Sequence, residues 1–415
     1  MSDIKLSICI PTYNRAKFLQ KTLAHCKNDL NFPFPYEIVI SDNASTDNTQ
    51  EVAEDFVTQG LPIRYYKRET NGGPWPNLGC AFLRAKGAYS IYLADDDLLV
   101  PEGIGAAMAY LEQNPDVSAC FTPWFLHDEV AGRDSGQFYR VDSDTKFARR
   151  DFADVFTFIF ERHVFPEHAI FKTETLRSAY VPRDFCYWPF CYLAHFLDMG
   201  AVAFLQRPFY RFVTRSKVAH ERPHAGHEEA MNAWDRYRGG LEYFLYVGAK
   251  RGRIGTAPAQ RQKYEEMCKI FTLNRMVVAL RLWVARKDFV KAYELYVRLM
   301  LGGFSNHEEV KKVRESLTLM AAVQTLAQQI NAVAGVSRVI LSNVADVPSL
   351  ASLLYELGLD RKIEVAGEPK EHAPDLLDRT VVFTAQAADR GKFIALGYAP
   401  NLVFSESDLT DGILV

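Results

Sequence analysis

Short apolar runs alternate with amphipathic stretches along the first 125 residues. Leu6–Ile10 reads LSICI and stops at Pro11, the pattern of a buried strand. Arg15–Lys27 then sets Phe18, Leu19, Thr22, Leu23 and Cys26 on one helical face. Tyr36–Ile40 (YEIVI) predicts a second strand, and SDNASTDNT supplies turn and cap residues before a helix carrying Val52, Ala53, Phe56 and Val57. Ile63–Tyr66 predicts a third strand, after which the glycines and prolines of TNGGPWPN exclude regular structure. A helix over Asn77–Lys86, a strand over Tyr89–Ala94, a helix from Pro101 to Asn114 and a strand over Val117–Phe121 complete the series. This order implies a mostly parallel sheet with helices on both faces. Ligands of such sheets bind outside the carboxyl ends of the strands. There PTYNR, SDNAS, TNGG and DDD follow the first four strands in turn.

The pattern changes twice further on. Residues 226–335 are rich in helix formers, as in YEEMCKIFTLNRMVVALRLWVARKDFVKAYELYVRLM, with basic residues such as Arg275 and Arg281 recurring among them. They read as a packed helical region, and a basic face of this kind would also suit peripheral contact with anionic lipid. Residues 336–415 read strand, helix, strand, strand, helix, strand, a small Rossmann-like α/β module. SNVADVPS after its first strand holds no glycine for a dinucleotide, so docking or homo-oligomerisation is the role expected of it. Residues 1–225 form the third part of this division.

Composition narrows the class. With 48% hydrophobic and 24% charged residues the chain is globular, and a net charge of −3 is unlike a nucleic-acid binder. The seven cysteines are scattered and include no C-x-x-C pair, which argues against a zinc cage or a disulfide framework. The apolar start before Pro11 is too short for a signal peptide, and no run of 18 apolar residues escapes interruption by charge. A cytoplasmic protein, at most resting on the inner face of the membrane, is expected.

The chemistry concentrates in YLADDDLLVP. Asp95, Asp96 and Asp97 stand together between apolar runs, with Lys86 the one basic residue within ten positions on either side. Two carboxylates ~4 Å apart repel by roughly 4 kcal/mol at an effective dielectric near ~20. A solvated turn accommodates such a cluster, and so does a bound divalent cation, which takes oxygen ligands. The crowding of polar loops at the same edge favours the cation. Rival chemistries lack their motifs: no G-x-G-x-x-G follows the first strand, no G-x-x-x-x-G-K-[ST] occurs, and no aspartate directly follows strand one as an aspartyl-phosphate enzyme would need.

ICIPTYNR, IVISDNASTDNT, TNGGPWPN and GAYSIYLADDDLLVPEGI, in this order and spacing over about residues 4–125, resemble the family 2 glycosyltransferases of the GT-A fold. LAHFLDMGAVAFLQRPFYRF extends the likeness to about residue 215. The resemblance implies an inverting transfer from a UDP- or dTDP-sugar donor to a saccharide or lipid-linked acceptor, in bacterial surface polysaccharide or glycolipid synthesis. It places Pro11, Thr12, Tyr13 and Arg15 beside the base and diphosphate, Asp42 on the base N3–H, Asn71, Gly73 and Asn77 along the nucleotide pocket, and Asp95 at the ribose. Asp96 and Asp97 would bind magnesium or manganese, with Asp96 also bordering the nucleotide. Structural readings stand beside these: Asp42 and Ser45 suit caps of the helix after the second strand, Asn77 an N-cap, and Tyr13 a packing position.

One expected element is missing. The family's acid pair, which includes the catalytic base, lies about a dozen residues before a glycine; counting back from Gly200, that place is held by Trp188-Pro189. Asp184 is the nearest carboxylate and the leading candidate base, with Glu167 and His168 of FPEHAIF as further candidates. Without a base the chain would be a nucleotide-sugar-binding scaffold. Arg211, Arg215 and His220 of RPFYRFVTRSKVAHERPHAGH resemble a loop that closes over the donor diphosphate. The proline and glycine among His220, His224 and His227 speak against a separate zinc site.

Overall fold

The computed structural model describes residues 4–179, 185–219 and 230–410. Strand β1 (Leu6–Thr12), helix α1 (Ala16–Asp29), β2 (Tyr36–Asp42), α2 (Thr49–Thr58), β3 (Ile63–Lys67), α3 (Pro74–Arg84) and β4 (Tyr89–Tyr92) open the chain. After the three aspartates come β5 (Leu98–Leu99), α4 (Pro101–Gln113) and β6 (Val117–Phe121). Apart from β5, the periodicity placed these elements to within a few residues. The start of α3 differs: Gly73 adopts a positive φ of 87°, and Pro74 and Pro76 fall in the first turn. Helix N–H groups have no intrahelical partner there, so the prolines initiate the helix instead of preventing it.

The middle of the chain carries what local pattern did not foresee. It runs β7 (Phe125–Asp128), β8 (Arg133–Gln137), β9 (Thr145–Phe147), α5 (Phe152–Arg162), β10 (Ala169–Lys172), α6 (Thr173–Arg177), α7 (Trp188–Met199), β11 (Ala201–Phe204) and β12 (Tyr210–Arg215). The large sheet has the order β3-β2-β1-β4-β10-β6-β11-β9. It is parallel across its first four strands, and β10 is inserted antiparallel between β4 and β6. Ile8, Ile10, Ile38, Ile40 and Ile91 are completely buried, at about 1.5–3 kcal/mol of burial free energy for each such side chain.

A second sheet, β5-β12-β7-β8, grows directly from the exit of the aspartate turn. Leu98 and Leu99 pair antiparallel with Arg211 and Tyr210, and the Val100 N–H donates to the Phe209 carbonyl at 2.8 Å. Gly103 permits this approach. A Cβ there would lie 2.1 Å from the Pro208 carbonyl oxygen, so only glycine lets α4 lie against the strand entry. Asp198 of α7 is buried and binds Arg150 at 2.7 Å and Arg251 at 2.5 and 2.9 Å.

The remaining elements are α8 (Trp234–Lys250), α9 (Pro258–Ala285), α10 (Phe289–Leu301), α11 (Glu308–Ala332), β13 (Arg338–Ser342), α12 (Val347–Glu356), β14 (Glu364–Gly367), β15 (Thr380–Thr384), α13 (Arg390–Ala395), β16 (Val403–Ser405) and α14 (Glu406–Thr410). Contacts redraw the three-part division as two compact units: Met1–His224 with Asp235–Phe271, and Ala225–Trp234 with Thr272–Val415. In the second unit β14-β13-β15-β16 form an all-parallel sheet, and Val323, Leu326, Ala327 and Ile330 of α11 share its core. The later helices and the terminal module are therefore one body. No helix among the described residues is long and apolar enough to cross a membrane.

Candidate functional site

The carboxyl ends of β1, β2 and β4 carry the polar loops, and side chains interlock them. Asn14, at a left-handed φ of 51°, accepts from the Thr46 N–H at 2.7 Å, while its own N–H donates to Ser45 Oγ at 2.8 Å. Asp47 reaches back to the start of α1, accepting from the Ala16 N–H at 3.1 Å. Asp42 is fully buried; one oxygen accepts from the Ser45 N–H (2.9 Å) and hydroxyl (2.5 Å), the other from the Tyr65 hydroxyl. Asp42 thus closes the turn after β2, while α2 starts further on, at Thr49.

Asn77 is buried as well. Its amide donates to the carbonyls of Thr12 (3.2 Å) and Ser41 (2.8 Å) and accepts from the Ser41 hydroxyl, which ties α3 to the ends of β1 and β2. Asn71 accepts from Asn43 and from the Gly73 N–H, so it shapes its own loop. Pro11 is half-buried and Tyr13 is 42% exposed at this edge.

In the aspartate turn each of the three acids meets donors from the protein. Asp95 accepts from Thr12 Oγ1 at 2.7 Å and from Arg15 Nε at 2.8 Å, and the same guanidinium reaches Asp96. Both Asp97 oxygens accept, from the Tyr210 hydroxyl (2.9 Å) and the Val213 N–H (2.8 Å). Thr22 of α1 donates to the Asp95 carbonyl at 2.9 Å. The turn also has a counter-charge from the protein itself, which the sequence did not reveal. Arg15, 80 positions from Asp95, supplies it. Burial, partly opposed by Arg15 and reinforced by Asp96, pushes Asp95 up to about 6. Burial and then Asp97 push the Tyr210 phenol well above its usual range.

Oxygen donors of this kind suit magnesium or manganese, which are commonly held by one or two carboxylates with other ligands from substrate and water. Asp97, buried and committed to two protein donors, braces the turn, while Asp96 lies nearer the surface. Among the described residues no group of three His, Cys, Asp or Glu side chains is arranged to hold a metal.

The other candidates separate. Arg211 spans both Asp134 oxygens at 3.1 and 3.2 Å, and Arg215 binds Asp128 at 3.1 Å, so each has a carboxylate partner on the second sheet. Asp184 and His220, with His224 and His227, lie outside the described residues. His168 is buried between Trp124 and Tyr210, its ring 3.6 Å from that of Tyr210, and burial lowers it to about 3. An imidazole so reluctant to take a proton is a poor base. Glu167 is half-buried and accepts from the Tyr187 hydroxyl. At the start of α7, where the acid pair was expected, Trp188 packs edge-on against Trp75 of α3 at 5.7 Å.

Sequence reasoning missed Tyr65, Tyr210, Thr22 and Tyr187. Tyr210 lies within the quoted RPFYRF, yet nothing local marks it as the partner of an aspartate 113 positions away.

The model of glycosyl transferase family 2 matches residues 7–170. The match includes the strand-end loops and the aspartate turn described above. The chain is 35% identical over 116 residues to abequosyltransferase RfbV of Salmonella typhimurium, covering 28% of this chain and 35% of that protein. It is 31% identical over 114 residues to the poly(ribitol-phosphate) β-N-acetylglucosaminyltransferase TarS of Staphylococcus aureus, covering 27% and 19%. The match to a GalNAc(5)-diNAcBac-PP-undecaprenol β-1,3-glucosyltransferase of Campylobacter jejuni is 27% over 151 residues, covering 36% and 47%. The chain thus spans less than half the length of each of these relatives. Among solved structures, TarS residues 1–349 with UDP-GlcNAc aligns at TM-score 0.47 and 18% identity over 77% of this chain and 85% of that one. The Pyrobaculum calidifontis mannosyltransferase PcManGT with GDP-Man and Mn2+ aligns at 0.42 and 18% over 79% and 88%.

Proposed function

We propose that this protein transfers a sugar from a nucleotide-diphosphate donor, UDP- or dTDP-linked, to a hydroxyl of a saccharide or lipid-linked acceptor. The observation that carries this reading is the aspartate turn at the strand ends, braced by Thr12, Arg15, Thr22 and Tyr210 within a family 2 segment. Tyr13, exposed beside it, would stack on the base. Asp96 would be the protein's ligand to magnesium or manganese. When bound, such an ion neutralises charge that grows on the departing diphosphate. Arg15 would then exchange Asp96 for a phosphate oxygen, keeping its own charge compensated. The names of the relatives support a role in bacterial surface polysaccharide or glycolipid assembly, and inversion is the outcome a base-assisted direct displacement gives.

The test is release of UDP from a panel of UDP-sugars with manganese, with and without simple saccharide acceptors. Turnover that falls about 100-fold or more in Asp96→Asn supports the reading. UDP binding with no release from any sugar nucleotide, with or without acceptor, would favour a scaffold instead, a reading that the Trp188-Pro189 replacement keeps in view.

A further inference from the structure

A transferase that uses a hydroxyl acceptor needs a group to take its proton, and helix α7 does not offer one at its start. The residue just before that helix points to where the function has moved. Tyr187, only 2% exposed, caps α7 and donates its hydroxyl to Glu167, at the entry to β10. Strand β10 runs beside β4, with Ile170 opposite Ile91, so its entry lies at the same edge as the aspartate turn. The charges agree with that placement: Tyr92 is pushed upward first by burial, then by Asp97, Asp96, Asp95 and Glu167 together.

Two further polar groups lie close by without partners. Tyr139 is 6% exposed, its hydroxyl has no hydrogen bond, and burial followed by the charge of Glu167 holds it protonated. His168 Nδ1 is likewise buried and unpaired, and both rings pack on Trp124. Leaving a buried polar atom unsatisfied costs about 1–3 kcal/mol, so such atoms call for an explanation. Glu167, half-buried and next in sequence to His168, supplies one: a polyol reaching it brings hydroxyls that both donate and accept.

We infer that Glu167 is the catalytic base of the proposed transfer, held in place by Tyr187, in an acceptor pocket for a sugar hydroxyl walled by Trp124, Tyr139 and His168. The inference rests on the glycosyltransferase reading. As the acceptor oxygen bonds to the anomeric carbon, its proton passes to a Glu167 oxygen. The bond from that carbon to the diphosphate oxygen breaks, and its electron pair leaves on the nucleoside diphosphate. Tyr187 is a positioning residue, since it acts through Glu167. The titratable groups facing the carboxylate are Tyr187, Tyr92 and Tyr139, with the three aspartates beyond Tyr92.

The experiment measures UDP binding by calorimetry and UDP release from a panel of UDP-sugars, with water as the acceptor, in the full chain and its variants. Glu167→Gln keeps the shape of the side chain. It should bind UDP as the wild type does yet release it about 100- to 10,000-fold more slowly. Tyr187→Phe should lower kcat more than it raises KM. It should also move the acidic limb of the pH–rate profile upward, because the ionised carboxylate loses a hydrogen bond. Release by Glu167→Gln within threefold of wild type would overturn the assignment, and an unmoved limb in Tyr187→Phe would overturn the positioning role. A wild-type chain that binds no UDP would sink the glycosyltransferase reading itself.

Discussion

The two parallel sheets of this chain end in very different ways. At the edge of β1, β2 and β4, buried acids are held by residues far away in sequence: Asp95 by Arg15 and Thr12, Asp97 by Tyr210. At the corresponding edge of β13, β14 and β16, acids are met by neighbours or by exposed side chains. Asp346 caps the helix that follows it, Asp408 accepts from Ser405, and Glu368 pairs with the half-exposed Lys392 at 2.6 Å. Both edges lie at the carboxyl ends of parallel strands. Only one concentrates buried charge, and function follows that arrangement and not the fold.

The contrast breaks most sharply at Asp96. Asp96→Asn should lower UDP release by about 100-fold or more, while Glu368→Gln should leave it unchanged. Next comes Tyr210→Phe, which strips one Asp97 oxygen of its donor and leaves the Ala94 N–H without its acceptor. Thermal or denaturant unfolding should show a loss of about 1–3 kcal/mol for each buried group left unpaired. Gly103→Ala drives a methyl into the Pro208 carbonyl, so the β5–β12 junction must shift. Overpacking of this sort costs about 1–3 kcal/mol, and here it should also reduce UDP release because Tyr210 moves with the strand.

His168 sharpens the comparison through pH. Its folded value of about 3 lies below the ordinary 6.5, so the unfolded chain binds the proton more readily. The stability held by the neutral imidazole is present above pH 6.5 and is lost as pH falls toward 3, at about 1.4 kcal/mol per unit. His168→Phe should flatten that slope in acid denaturation. The smallest effect belongs to the other edge: breaking Glu368–Lys392 by Glu368→Gln should change stability by about 1 kcal/mol or less, because that pair is open to solvent.

Local pattern carried the first sheet well. Leu6–Ile10, Tyr36–Ile40 and Val117–Phe121 are strands because a buried strand is a short apolar run wherever it occurs. The four polar loops were legible for the same reason, and the family motifs located the aspartates. What periodicity could not report is pairing across the chain. The Arg15 side chain looks like any surface arginine until β1 and β4 lie side by side. The two-residue strand Leu98–Leu99 exists only because β12 pairs with it. The antiparallel β10 carries Glu167 to the active edge, and no local spacing announces that insertion. Prolines misled at α3, where their place in the first turn mattered more than their usual effect.

The central claim is that the aspartate edge binds a nucleotide diphosphate together with a divalent cation through Asp96. Calorimetric titration of UDP with and without manganese, in the wild type and in Asp96→Asn, tests it most directly. The account predicts binding that manganese tightens at least tenfold in the wild type, with that gain abolished in the variant. Wild-type titrations without UDP heat, or a manganese gain equal in both proteins, would contradict it.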